Sequence, residues 1–210
     1  MTSTAAVILA AGRGTRFGGG KMLAQVAGRP MLQHVLDLVA TAGLDPVVVV
    51  LGEDAEAIQT ALTWRSEILV RNEHPERGIS SSLKLGLQAL TDSSRALVLL
   101  GDQPLLTLDQ VRTICAMERD PSRPIGVPRY GDGRPGNPVL LDREAWSLAA
   151  ALAGDRGMSQ LFDSHADLIR YVNLAGRNPD IDTAADLDAV SRGGEPGRSF
   201  RMEAADPRKP

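Results

Sequence analysis

Residues 7–22 read VILAAGRGTRFGGGKM. Five apolar residues precede Gly12; five glycines, two arginines and a lysine then fall within eleven positions. With its neighbours, AAVILA at 5–10 is a short continuous apolar run, the pattern of a strand buried on both faces. A chain that leaves such a strand directly into glycine and positive charge makes a loop where backbone amides and cations can approach a phosphate closely. Two common phosphate loops do not fit. A P-loop needs a glycine five positions before Gly20, where Thr15 stands, and Ser or Thr after Lys21, where Met22 stands. A dinucleotide loop beginning at Gly12 and Gly14 needs a third glycine where Phe17 stands.

Working outward, the rhythm of strand, loop and helix repeats. PMLQHVLDLVATAG (30–43) places Met31, Leu32, Val35, Leu36 and Val39 on one helical face, with Pro30 at its start and Gly43 at its end. PVVVVLG (46–52), EILVRN (67–72) and ALVLLGD (96–102) read as strands. DAEAIQTAL (54–62), SSSLKLGLQAL (80–90) and LDQVRTICAM (108–117) read as helices. Beyond residue 120, PIGVPRY (124–130) and GNPVLLD (136–142) flank GDGRP and predict a loose hairpin, which makes the sheet mixed. REAWSLAAALAG (143–154) predicts a helix, DLIRYVNL (167–174) the last strand and TAADLDAV (183–190) the last helix. This alternation predicts an α/β three-layer domain over residues 1–190. Residues 191–210, rich in Gly, Pro and charge, read as a disordered tail. In such folds ligands sit at the carboxyl ends of the strands, which gathers the loops after residues 10, 72, 101 and 180.

The totals narrow the function. The net charge of −3 argues against a general polyanion-binding surface, and 3% aromatic residues against a stacking platform for single strands. No nucleic-acid partner is therefore expected. The lone Cys115 cannot form an internal disulfide and fits a reducing cytoplasm. No apolar run reaches about 18 residues, and the N-terminus has no basic leader, so neither a membrane span nor a signal peptide is expected. His34, His74 and His165 show no metal-ligand spacing.

LAAGRGTRFGGGKML resembles the signature L-A-[AG]-G-x-[GS]-x-R-x-G-x-x-K of nucleotidyltransferases similar to the molybdenum cofactor transferases, the MobA-like NTP transferases. Leu9, Ala10, Ala11, Gly12, Gly14, Arg16, Gly18 and Lys21 meet every fixed position. The resemblance covers residues 5–190 and implies a Rossmann-like nucleotidyltransferase fold with a mostly parallel mixed sheet, of the nucleotide-diphospho-sugar transferase type. It implies that the loop wraps a nucleotide triphosphate, with Arg16 and Lys21 stabilising charge during transfer.

Other segments extend it. GDQP (101–104) ends a buried strand, and Asp102 is placed to hold Mg²⁺, which takes one or two carboxylates plus phosphate oxygens. RGISSSLKLG (77–86) resembles the family's G-[MI]-S-S-S-L segment, which implies nucleotide contacts for Gly78, Ser80, Ser81 and Ser82, with Gly101 beside them. DIDTAADL (180–187) resembles the closing D-I-D-T motif, whose second Asp, here Asp182, completes the metal site; Thr183 and Asp186 also suit a capping box.

For the acceptor, the resemblance implies Gln103, Pro104, Gly136, Asn137, Pro138, Gly154, Asp155 and Arg156. Asn137 departs from the family's His, and Met158-Ser159 from its Ala-Arg. "GDQP" and Ala11 resemble the cytidylyl branch. A methyl at position 11 crowds a purine more than a pyrimidine. The implied reaction is Mg²⁺-dependent (Mn²⁺ as substitute) transfer of CMP from CTP to the phosphate of molybdopterin or its molybdenum form. The implied partners are CTP, that acceptor, and a molybdoenzyme or its chaperone, for a monomer or weak dimer. Rivals are another phosphorylated acceptor such as a sugar or polyol phosphate, GTP as donor, and a nucleotide-binding module without turnover.

Overall fold

The computed structural model describes residues 4–154 and 158–192. In chain order the elements are β1 (Ala5–Ala10), β2 (Gln25–Val26), β3 (Arg29–Pro30), α1 (Met31–Ala42), β4 (Val47–Leu51), α2 (Ala55–Ala61), β5 (Ile68–Arg71) and α3 (Ile79–Gln88). They continue with β6 (Arg95–Leu100), α4 (Leu108–Cys115), β7 (Ile125–Arg129), β8 (Val139–Asp142), α5 (Trp146–Ala150), α6 (Ser159–Ser164), β9 (Ile169–Asn173) and α7 (Ala184–Ser191). Seven strands form one sheet in the order β5-β4-β1-β6-β8-β7-β9, and β2 pairs with β3 apart from it.

The pairings of β1 with β4 and β6, β4 with β5, and β7 with β9 are parallel. Only β8 runs against its neighbours, pairing antiparallel with β6 and β7. The sheet is therefore mixed and mostly parallel, as the hairpin reading of residues 124–142 requires. That hairpin is inserted so that its second strand, not its first, extends the sheet from β6.

All six residues of β1 are buried, and their alternation sorts them onto two faces. Ala6, Ile8 and Ala10 pack with Leu32, Leu36, Ile58 and Ile114 from α1, α2 and α4. Ala5, Val7 and Leu9 pack with Leu83, Leu87, Ala149 and Leu161 from α3, α5 and α6. Helix, sheet and helix make three layers around an aliphatic core, in which truncating Ile8 or Leu97 to Ala would cost about 2–5 kcal/mol. A smaller cluster of Val26, Met31 and Ile181 seats α7 beside the β2–β3 pair.

Two expectations change. The helix expected over 143–154 is a 3-10 turn (Arg143–Ala145) followed by the short α5. The chain then leaves the helix axis, and the Gly154 carbonyl accepts the Ser80 amide at 3.3 Å. Helix α6 falls where the sequence showed only a segment of family likeness. The expected tail from residue 193 onward lies outside the described residues, while Ser191 closes α7.

Candidate active site

The glycine-rich loop leaves the carboxyl end of β1. Its Gly14 carbonyl accepts the amides of Phe17, Gly18 and Gly19 at 2.9–3.2 Å. Those amides are thus engaged within the loop, a departure from an amide cradle left open throughout. Gly14 has φ +56°, and a Cβ there would stand 3.0 Å from the Lys21 Cβ, so glycine fits on both counts. This turn brings Lys21, at the start of a 3-10 turn (Lys21–Leu23), back over the end of β1.

Three loops meet at the Lys21 ammonium. Its Nζ donates to Asp102 Oδ2 at 2.6 Å and to Asp182 Oδ1 at 2.8 Å. Asp102 follows β6, β1's neighbour in the sheet. Asp182 is carried in by the chain ahead of α7, which is pinned by the Ile181 amide donating to the Asp102 carbonyl at 3.1 Å. Thr183 and Asp186 close the capping box that starts α7, and Asp186 Oδ2 also accepts the Asp182 amide at 3.2 Å. The capping and metal readings of this segment are therefore compatible: different side chains serve them.

The Lys21 side chain is 9% exposed, Asp102 19% and Asp182 25%, whereas Arg16 is 75% exposed and reaches Asp182 only at 3.7 Å. Burial alone would lower the Lys21 pKa, but the Asp102 and Asp182 carboxylates outweigh it and hold the ammonium above its ordinary value. Asp102 Oδ1 is buried without a hydrogen-bond partner. A hard oxygen left unsatisfied beside a second carboxylate is a donor set suited to a divalent cation such as Mg²⁺ or Mn²⁺. Among the described residues no three His, Cys, Asp or Glu side chains gather as a metal cluster, so such an ion would draw its remaining ligands from water or substrate.

A cleft of about 450 Å³ opens beside this triad, lined by Leu9, Ala11, Gly12, Gly14, Ser82 and Asp102 among others. Gly78 and Lys21 line it too, as does Glu76, which the sequence reading did not single out. Behind Ala11 lies Gly52, where a Cβ would stand 2.6 Å from the Ala11 carbonyl; β4 can come this close only with glycine there.

The serines are held by a side chain from outside their own segment, and Ser82 lines the cleft. None caps α3, whose N-cap is Gly78. Buried Asn72, at the end of β5, donates to Ser81 Oγ at 2.8 Å and Ser82 Oγ at 2.9 Å, and its Oδ1 accepts the His74 amide. Ser81 in turn donates to the Gly78 carbonyl. Ser80 is buried and Gly101 is packed against Ala10 and Met22, so neither lines the cleft. Ala10 lines a smaller adjoining pocket with Gly52.

The residues expected at the acceptor separate into two groups. Gln103 is buried: its Nε2 donates to Asp180 Oδ1 at 2.7 Å, and its Oε1 accepts from Asn178 Nδ2 at 2.9 Å. Asn178 also donates to the Asn137 carbonyl, which accepts the Tyr130 hydroxyl at 2.5 Å. This polar chain joins the Gln103–Pro104 and Gly136–Pro138 segments at the carboxylates. Burial, and then the neighbouring Asp102, push the Asp180 carboxyl up to about 7, against the Gln103 hydrogen bond. Gly154 instead sits at the first turn of α3, and Asp155 and Arg156 lie outside the described residues. Asn72, Asn178, Asp180 and Tyr130 escaped the sequence reading; the only signal was their proximity to family-like segments. Cys115 is not at the cleft, and burial pushes its thiol up to about 11. No helix among the described residues is long and apolar enough to cross a membrane.

Comparison with known proteins agrees with this fold. Rv0371c from Mycobacterium tuberculosis H37Rv superposes with a TM-score of 0.81 at 30% identity, covering 91% of this chain and 98% of that one. Its manganese complex superposes at 0.79 and 29% identity, covering 91% and 99%. The bifunctional protein GlmU of Desulfitobacterium hafniense is 37% identical over 116 residues, which is 54% of this chain and only 25% of that longer protein. The model of the MobA-like NTP transferase domain matches residues 6–168, and the chain belongs to that family of nucleotidyltransferases.

Proposed function

We propose that this nucleotidyltransferase moves CMP from CTP onto the phosphate of a molybdopterin-type acceptor and releases pyrophosphate. The observation that carries the reading is the meeting of Lys21 with Asp102 and Asp182 beside the cleft that Ala11, Gly12 and Ser82 line. The triphosphate lies along the glycine-rich loop, with Arg16 and Lys21 facing its negative charge. The base enters between Ala11 and the Gly78–Ser82 turn. Ala11 supports a pyrimidine: it is held from behind by Gly52 and cannot retreat from a larger ring.

The acceptor phosphate oxygen attacks the α-phosphorus in line, and no covalent intermediate on the protein is needed. Positioning and electrostatics carry such transfers. Lys21 and Arg16 stabilise the charge that builds on the departing pyrophosphate. Asp102 and Asp182 hold Mg²⁺ or Mn²⁺, which when bound supplies charge neutralisation at the phosphate oxygens. The manganese complex of Rv0371c supports a divalent cation here.

Asn137 and Met158-Ser159 favour a second reading, in which the acceptor is a different phosphorylated compound such as a sugar or polyol phosphate. Pyrophosphate release is measured with CTP, GTP, UTP and ATP against a panel of acceptors. The proposal expects CTP with molybdopterin to turn over fastest. Faster release with a sugar or polyol phosphate would replace the acceptor, and preference for GTP would overturn the reading of Ala11. Tight CTP binding without release on any acceptor would leave a binding module. Thermal unfolding offers a parallel measure, since a ligand at a hundred times its Kd adds about 2.7 kcal/mol.

A further inference from the structure

The Lys21 ammonium lies between the two carboxylates assigned above to the divalent cation. It makes hydrogen bonds of 2.6 and 2.8 Å, one to each. Without it, Asp102 and Asp182 would stand together as like charges in a partly buried setting, with only the exposed Arg16, 3.7 Å from Asp182, to offset them. The lysine is therefore the counterion of the ligand-free protein.

A divalent cation needs lone pairs of the same two carboxylates. An ammonium at hydrogen-bond distance from both would repel it at short range. The two cations are rivals for one seat, so one must leave when the other enters.

The backbone of Lys21 is fixed. It opens a 3-10 turn whose next residue, Met22, is buried in the core, and it lies so close to Gly14 that a Cβ there would stand 3.0 Å from its own. Only the side chain beyond that backbone has to move, and the cleft that Lys21 itself lines gives it a destination. A polyphosphate there would supply the negative charge that the ammonium gives up.

We propose that Lys21 is a placeholder cation: in the ligand-free protein it occupies the carboxylate pair that a divalent cation requires. A bound polyphosphate then draws it out and opens the seat. Metal and nucleotide consequently bind with positive coupling, each raising the affinity for the other. The inference rests on the assignment of Asp102 and Asp182 to the metal.

The test is Mn²⁺ binding to the full chain without nucleotide, read by the electron paramagnetic resonance of free Mn²⁺. Lys21→Met keeps an unbranched side chain and removes the charge; it is expected to bind Mn²⁺ at least tenfold more tightly than wild type. Lys21→Arg keeps a cation and is expected to bind as weakly as wild type. Adding Asp182→Asn to Lys21→Met is expected to abolish the gain. Thermal melts establish folding, and Mn²⁺ is expected to raise the Tm of Lys21→Met more than that of wild type. Equal or weaker Mn²⁺ binding by Lys21→Met overturns the inference. Tighter binding by Lys21→Met, together with no transfer by the wild type to any acceptor, upholds the placeholder while removing the proposed reaction. Equal binding by wild type, Lys21→Met and the double variant removes both the placeholder and the metal seat.

Discussion

Two charged triads stand at opposite ends of β6, and their wiring is reversed. Beyond its carboxyl end, one ammonium, Lys21, serves two carboxylates, Asp102 and Asp182. At its amino end, one carboxylate serves two guanidiniums: Asp142 accepts from Arg95 Nε at 2.9 Å and Arg170 Nη2 at 2.8 Å. Asp142 is fully buried and both of its oxygens are used. Arg95 also donates to the carbonyls of Cys115 and Met117, and Arg170 to that of Arg123, so the cluster ties β6, β8, β9 and the end of α4 together. The Lys21 triad instead carries excess negative charge, keeps Asp102 Oδ1 unsatisfied and faces a cleft. A buried ion group whose carboxylate is fully engaged holds structure together. One with spare capacity at a cleft is available for a ligand.

The contrast can be broken by substitution. The largest effect is expected from Asp142→Ala, which leaves two guanidiniums buried without their carboxylate and should cost about 3–5 kcal/mol of stability by denaturant unfolding. The folded fraction should keep its rate. Asp102→Ala should do the reverse: a fall in kcat on the order of 10²–10³ in a pyrophosphate-release assay, with Tm unchanged or raised. If Asp102→Ala turns over at the wild-type rate, the division between the two triads collapses.

Smaller effects sharpen it. Asn72→Ala removes the donors that hold Ser81 and Ser82, and should cost about 1–3 kcal/mol while raising the KM for nucleotide. Gly52→Ala should weaken nucleotide binding by displacing Ala11, and should also lower stability in calorimetry by about 1–3 kcal/mol, because the added Cβ would stand 2.6 Å from the Ala11 carbonyl. Cys115, whose thiol sits near 11, should resist alkylation at pH 8 until the chain unfolds, as followed by mass spectrometry. Fast native alkylation would show the end of α4, beside Arg95, to be looser than its hydrogen bonds suggest.

What could be read ahead of the fold was local. AAVILA declares itself as a buried strand because six adjacent residues carry the signal, and α1 matches its expected span because Pro30 and Gly43 mark its ends. The serine run shows what local reading leaves out. Its composition suits ligand contact, but that Ser81 and Ser82 are also engaged by Asn72, which follows β5 across a loop, could not be read from it. Gln103 likewise reads as a surface contact in GDQP, but Asp180 and Asn178 cover it from 77 and 75 residues away. Asp142 has no motif at all; its importance exists only in the company of Arg95 and Arg170.

By itself the sequence determined the alternation of elements, the mixed sheet and the glycine-rich turn with its cations, because each is written in neighbouring residues through hydrophobic periodicity and backbone freedom. The tertiary structure decided that Lys21 meets Asp102 across 81 residues and Asp182 across 161. The order of strands put β6 beside β1, and the packing of Ile181 with Val26 and Met31 brought the second carboxylate to the first. Such distances are set by which surfaces the whole chain buries together, and no local pattern encodes them.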